Sequence, residues 1–159
     1  MKALIFAAGL GTRLKPLTDT MPKALVPING KPLLEHQILK IKKMGFDHLV
    51  INVHHFADQI IDFLSKNNNF GLKIDISDER NLLLETGGGV KKAASFFTDE
   101  KPFLIHNVDI LSNIDLQSFY TENASKSLIS LLVNQRKTSR YLLFNEEKSF
   151  IYKMTISIF

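Results

Sequence analysis

Cysteine and tryptophan are both missing from the 159 residues of this chain. Without cysteine there is no disulfide, no thiolate metal site and no cysteine nucleophile, and a cytoplasmic location is expected. Long apolar runs are missing as well. Nothing approaches the roughly 20 residues that a membrane-crossing helix needs, so no membrane partner is expected. Lys2 and the apolar segment 3–10 imitate the start of a secretion signal. The apolar part is short, Gly9 interrupts it, and Arg13 and Lys15 stand where a cleavage site would lie, so it reads as a strand. The formal charge of +4 comes from lysines spread along the chain and not clustered with aromatics. That describes a solvated surface, and no nucleic-acid partner is expected.

What is present alternates between strand and helix. Residues 3–8 form a continuous apolar run of the kind buried on both faces of a parallel sheet. Pro32 opens a helix to about residue 44, with Leu33, Leu34, Ile38, Leu39 and Ile41 on one stripe and Gly45 as its stop. A strand over 48–53 follows, then a helix over 57–65 with Ile60, Ile61 and Leu64 inward, ended by the Asn67-Asn68-Asn69 run. A third strand is expected at 72–76, a helix at 90–97 behind a glycine-rich start, and a fourth strand at 102–106. Asp115 is placed to cap a helix to about residue 123. A fifth strand at 128–133 and a hairpin of 141–144 with 150–152 complete the pattern. Repeated strand–helix–strand units imply right-handed crossovers and a three-layer α/β/α fold around a mostly parallel sheet. The length suits a single domain over 1–159 that buries about 70% of its unfolded surface.

Ligands of such sheets bind beyond the carboxyl ends of the strands, and the segments 9–13, 84–89 and 107–109 all fall there. Ala7-Ala8-Gly9-Leu10-Gly11-Thr12-Arg13-Leu14 supplies two glycines, a hydroxyl and a guanidinium in five residues. Glycines admit a ligand close to the backbone, and the N–H groups of such a turn attract anions. Arg13 can grip a phosphate with two parallel hydrogen bonds, and Lys23 adds a point charge. A dinucleotide fingerprint is absent, because Leu14 occupies the third glycine position and Asn52-Val53-His54 holds no acid. A Walker loop is absent too, since no Gly-Lys-Ser/Thr follows.

Asp109 is a lone carboxylate directly after an apolar strand, where a hard cation is held by one or two carboxylates plus substrate oxygens. The competing reading is a cap on the next turn, for which Asp115 is better placed. Glu85 reads equally as a first-turn carboxylate of the next helix or as a ligand. His36, His54 and His55 read as loop or surface residues, because adjacent side chains diverge and no third ligand has suitable spacing.

Gly11-Thr12-Arg13 with Pro22-Lys23-Ala24-Leu25-Val26-Pro27, Leu84-Glu85-Thr86-Gly87-Gly88-Gly89 and Asn107-Val108-Asp109 resemble the signature of the sugar-1-phosphate nucleotidyltransferases over about the first 135 residues. The Leu-Glu-Thr-Gly-Gly-Gly form looks most like the branch holding N-acetylmuramate-1-phosphate uridylyltransferase and mannose-1-phosphate guanylyltransferase-like proteins. The resemblance implies a Rossmann-like nucleotidyltransferase fold and the reaction of an NTP with a sugar 1-phosphate to an NDP-sugar and pyrophosphate. It places Gly9, Gly11, Thr12, Arg13 and Lys23 on the NTP phosphates, and Thr86 and Gly87 against the nucleobase. Asn107 would contact the sugar, Asp109 would bind Mg²⁺, and Arg13, Lys23 and Asp109 would carry catalysis.

Val108 stands where the family commonly has glycine. Family members also carry a further C-terminal stretch that shapes the sugar pocket and holds a second metal-binding aspartate, so the expectation is a C-terminally shortened form of the fold. Two functional outcomes are therefore expected to compete: a transferase, or a nucleotide-binding remnant with little catalysis. The apolar end Ile156-Ser157-Ile158-Phe159 suggests edge pairing in a homodimer.

Overall fold

The structure, a computed structural model, describes residues 1–124, 128–133, 140–144 and 150–155. In chain order these form β1 (Lys2–Phe6), the two-residue strands β2 (Pro27–Ile28) and β3 (Lys31–Pro32), α1 (Leu33–Lys43), β4 (His48–Val53) and α2 (Ala57–Lys66). They continue as β5 (Lys73–Asp78), α3 (Glu85–Ala93), β6 (Leu104–Asn107), α4 (Leu116–Asn123), β7 (Arg140–Phe144) and β8 (Phe150–Thr155). Two compact units result, Met1–Ser127 and Leu128–Phe159.

The first unit is built on a parallel sheet in the order β5-β4-β1-β6. Because side chains alternate along a strand, β1 and β4 each feed two cores. Ala3, Ile5, Leu49 and Ile51 pack with Leu34, Ile38 and Ile41 of α1, Ile60 of α2 and Leu116 of α4. Leu4 and Val50 face the other way, against Ala93 of α3 and the rings of Phe6, Phe97 and Phe103. Helices thus cover both sheet faces, giving the expected three layers. Fully buried aliphatic side chains such as Leu34 and Ile38 each contribute roughly 1.5–3 kcal/mol by leaving water.

Several boundaries differ from the sequence expectation. β1 ends at Phe6 and not at residue 8, because Asn52 takes the N–H groups of Ala7 and Ala8. In α1 the expected stripe is buried at Leu33, Leu34, Ile38 and Ile41, but Leu39 is 38% exposed and Gln37 is buried in its stead. The Gln37 amide donates to the Ile110 carbonyl at 2.9 Å and so has a reason to be inside. α3 starts at Glu85, five residues ahead of the expected start, with all three glycines inside it. A Cβ on Gly89 would lie 3.0 Å from both Phe6 Cε1 and Glu79 Oε1, so glycine allows α3 to sit close to the sheet. Asp115 does cap α4, accepting from the N–H groups of Gln117 and Ser118.

In the second unit β7 and β8 pair antiparallel with Arg140 opposite Thr155, as the expected hairpin. Residues 128–133 form no strand, and Leu128 is 100% exposed. The tail 156–159, on which the homodimer expectation rested, lies outside the described residues. Among the described residues no helix is long and apolar enough to cross a membrane.

His106 on β6 is 7% exposed and donates from Nδ1 to the Asn107 carbonyl. Burial pushes its pKa below the ordinary histidine value, the Asn107 carbonyl opposes that, and the Lys40 ammonium adds to the lowering. A lowered folded-state pKa means the unfolded chain takes the proton more readily. The stabilisation is therefore complete above the unfolded value of about 6.5 and is lost as pH falls below it. The urea midpoint should accordingly drop between pH 7.5 and 5.5, and His106→Gln should flatten that drop. Superimposable profiles for the two proteins would contradict it.

Candidate active site

The segment from Ala7 to Leu25 leaves the central strand and returns through three short 3-10 turns. Gly11 makes this return possible. Its φ of 66° is left-handed, and its carbonyl accepts from Leu14 N at 2.8 Å and Thr18 Oγ1 at 2.9 Å. A Cβ there would lie 2.8 Å from Thr18 Cγ2 and 3.0 Å from Lys23 Cβ. Gly11 therefore brings Lys23 in close, whereas a Cβ on Gly9 would meet nothing within 4 Å. The two glycines do different work: one closes the loop, the other leaves open space.

Lys23 enters a cleft of about 280 Å³ at the carboxyl ends of β1, β4 and β6. The opposite wall is the turn after β6. Val108 N donates to the Phe6 carbonyl at 3.1 Å, which extends the β1–β6 ladder by one bond and leaves Val108 buried between Asn107 and Asp109. Across the cleft the Lys23 ammonium is paired with the Asp109 carboxylate. These residues are 86 positions apart in sequence. Both remain partly open to water, and the pair is accessible from the cleft.

Of the sequence-predicted residues, Gly9, Lys23, Thr86, Asn107 and Asp109 line this one cleft. Gly11, Thr12, Arg13 and Gly87 lie on the same two segments but do not line it. Arg13 is exposed, and among the described residues its guanidinium has no charge partner. Glu85 lines the cleft at the first position of α3 with a φ of 57°, an uncommon backbone state for a residue with a side chain. His54 donates from Nδ1 to the Glu79 carbonyl at 2.7 Å and the His55 ring packs tilted against Phe56. Among the described residues no group of three His, Cys, Asp or Glu side chains gathers as a metal cage.

Two polar lining residues escaped the sequence reading. Asn52 and Glu79 are 2% and 1% exposed and are joined by an Asn52 Nδ2–H···Oε1 hydrogen bond of 2.9 Å. A polar residue inside the otherwise apolar β4 was the available signal. Asp78 beside them is held below the usual carboxylate range by its hydrogen bonds from Arg80, whose guanidinium also pairs with Asp58 at the start of α2.

The family model described as Nucleotidyl transferase matches residues 2–146. The N-acetylmuramate alpha-1-phosphate uridylyltransferase of Neisseria meningitidis is 40% identical over 125 residues, which are 79% of this chain and 54% of that protein. The mannose-1-phosphate guanylyltransferase catalytic subunit beta of Danio rerio is 32% identical over 146 residues, 89% of this chain and 40% of that protein. The crystal structure of HddC from Yersinia pseudotuberculosis superposes with a TM-score of 0.69 at 34% identity, covering 78% of this chain and 54% of that one. The chain spans about half the length of the curated relatives it matches.

The contrast between the two loop glycines is measurable. Gly11→Ala forces a side chain into the left-handed region and against Thr18, and should cost about 1–2 kcal/mol or more in urea unfolding. Gly9→Ala should stay within about 0.5 kcal/mol of the parent. Equal losses would show that the loop is not closed through Gly11.

Proposed function

The chain belongs to the nucleotidyl transferase family, and from that membership we propose that it condenses an NTP with a sugar 1-phosphate to give an NDP-sugar and pyrophosphate. The observation that carries this reading is the meeting of Lys23 and Asp109 in one cleft at the strand ends. A phosphate oxygen of the sugar attacks the α-phosphorus in line, and the bond from that phosphorus to pyrophosphate breaks. The attacking oxygen is ionised near neutral pH, so no general base is required. The difficulty is assembling anions, which calls for positioning and fixed positive charge.

This chain's residues answer that need in separate ways. Lys23 supplies an ammonium at the cleft wall, and the open backbone at Gly9 admits phosphate oxygens. Gly11 and Thr12 shape the loop, from which the Arg13 guanidinium reaches a triphosphate. Thr86 and Gly87 lie against the nucleobase, and Asn107 contacts the sugar. A single carboxylate on a rigid strand end suits Mg²⁺, which takes one or two protein carboxylates and leaves its other positions to water and phosphate oxygens. Asp109 is the residue that would hold it, and the ion supplies charge neutralisation on the phosphates when bound. Asp109 is already in contact with Lys23, so lysine and metal share one carboxylate. Nucleotide and sugar phosphate as partners fit a cytoplasmic protein.

A second reading is that the residues of this chain bind the nucleotide without turning it over. Incubation of the full chain with each NTP, several sugar 1-phosphates and Mg²⁺ should release pyrophosphate. Asp109→Asn should lower that release by on the order of 100-fold while the circular dichroism spectrum stays unchanged. Calorimetry separates the readings: nucleotide binding without pyrophosphate leaves only the second, and no binding removes both. Full activity in Asp109→Asn would refute the metal assignment.

A further inference from the structure

Glu79 is a buried carboxylate that the proposed chemistry does not use, and among the described residues it has no ion-pair partner. Burying such a group is costly, and an apolar pair of similar volume would serve packing better. Its bonds explain its place. Glu79 Oε1 accepts from Asn52 Nδ2 at 2.9 Å, and Oε2 accepts from the backbone N–H of Leu84 at 3.2 Å, directly before α3. The other end of the Asn52 amide faces β1: Oδ1 accepts from Ala7 N at 2.6 Å and Ala8 N at 3.2 Å. The backbone ladder between β1 and β4 ends at Phe6 opposite Asn52. The Asn52 side chain takes over the next two N–H groups, where the glycine loop begins.

We propose that Asn52 is a positioning residue that, backed by Glu79, sets the entrance of the glycine loop and ties it to the start of α3, so that the two nucleotide-facing walls of the cleft hold a common geometry. This rests on the nucleotide reading of the cleft given above. The side-chain amide meets both demands, since it accepts at one end and donates at the other. Aspartate at position 52 would set two buried carboxylates against each other. Gly89 belongs to the same arrangement. Its missing Cβ, which would lie 3.0 Å from Glu79 Oε1 and 3.3 Å from Asn52 Nδ2, lets α3 close over the pair and exclude water.

The donor–acceptor logic supplies its own test on the full chain. Asn52→Asp breaks the contact with Glu79. The double variant Asn52→Asp/Glu79→Gln reverses donor and acceptor: the new carboxylate takes the alanine N–H groups and one bond from the new amide, whose oxygen accepts from Leu84. Glu79→Gln alone is milder, and should speed hydrogen exchange at Leu84 while sparing Ala7 and Ala8. Nucleotide dissociation constants with Mg²⁺ are read by calorimetry, using whichever of the four NTPs the parent binds best, with amide exchange read by NMR. Asn52→Asp should weaken binding about tenfold, and the double variant should recover most of it. Single and double variants that remain folded and bind as the parent does would overturn the proposal, as would a double variant no better than Asn52→Asp. If the parent binds no NTP, the functional reading falls, and exchange decides the relay alone. Faster exchange at Leu84 in Asn52→Asp, reversed in the double variant, supports it, and an unaffected Leu84 overturns it.

Discussion

Parallel pairing of β1 with β4 on one side and β6 on the other is the constraint from which the first unit follows. Parallel neighbours bring their carboxyl ends to one edge of the sheet, so the segments that follow all three strands must emerge together. The glycine loop after β1, Asn52 on β4 and Asn107 to Asp109 after β6 are neighbours for that reason alone. Burial of β1 on both faces then locks the arrangement. Any slip in register would exchange Ala3 and Ile5 for Leu4 and disturb both cores at once.

The site divides its tasks between backbone and side chain. Gly11 is needed for a turn and Gly89 for a close approach, while Gly9 leaves space that nothing in the protein fills. Charge is concentrated in one ion pair whose members come from opposite walls, and a buried amide–carboxylate pair joins the neighbouring loop to α3. Both groups lie within residues 2–146, the span that the family model matches.

Much of this was legible in the sequence because the signals were local. The run 48–53 carries Leu49, Val50, Ile51 and Val53, and its limits agree with the observed β4. Asp115 announced α4 through cap chemistry that needs only the next three residues. Lys23 and Asp109 were found through their motifs, although nothing local could say that they touch. The misreadings concern tertiary demands. Three consecutive glycines argue against a helix by propensity, yet α3 contains them because Phe6 and Glu79 leave no room for a Cβ at Gly89. Gln37 is inside because of a carbonyl at Ile110, and Asn52 and Glu79 matter because of N–H groups on distant segments.

The buried Val108 carries a consequence for how the cleft meets its ligands. Its N–H bond to Phe6 makes the turn after β6 an outgrowth of the central ladder, and its β-branched side chain is stiff and enclosed by core. Asp109 is thereby preorganised: the entropy of fixing its backbone is settled when the protein folds and not when a substrate arrives. The opposing wall is a long loop of short turns with an exposed arginine. On the proposed reading, adaptation to differently shaped phosphates therefore falls to that side, with the aspartate as the stationary jaw of an asymmetric clamp.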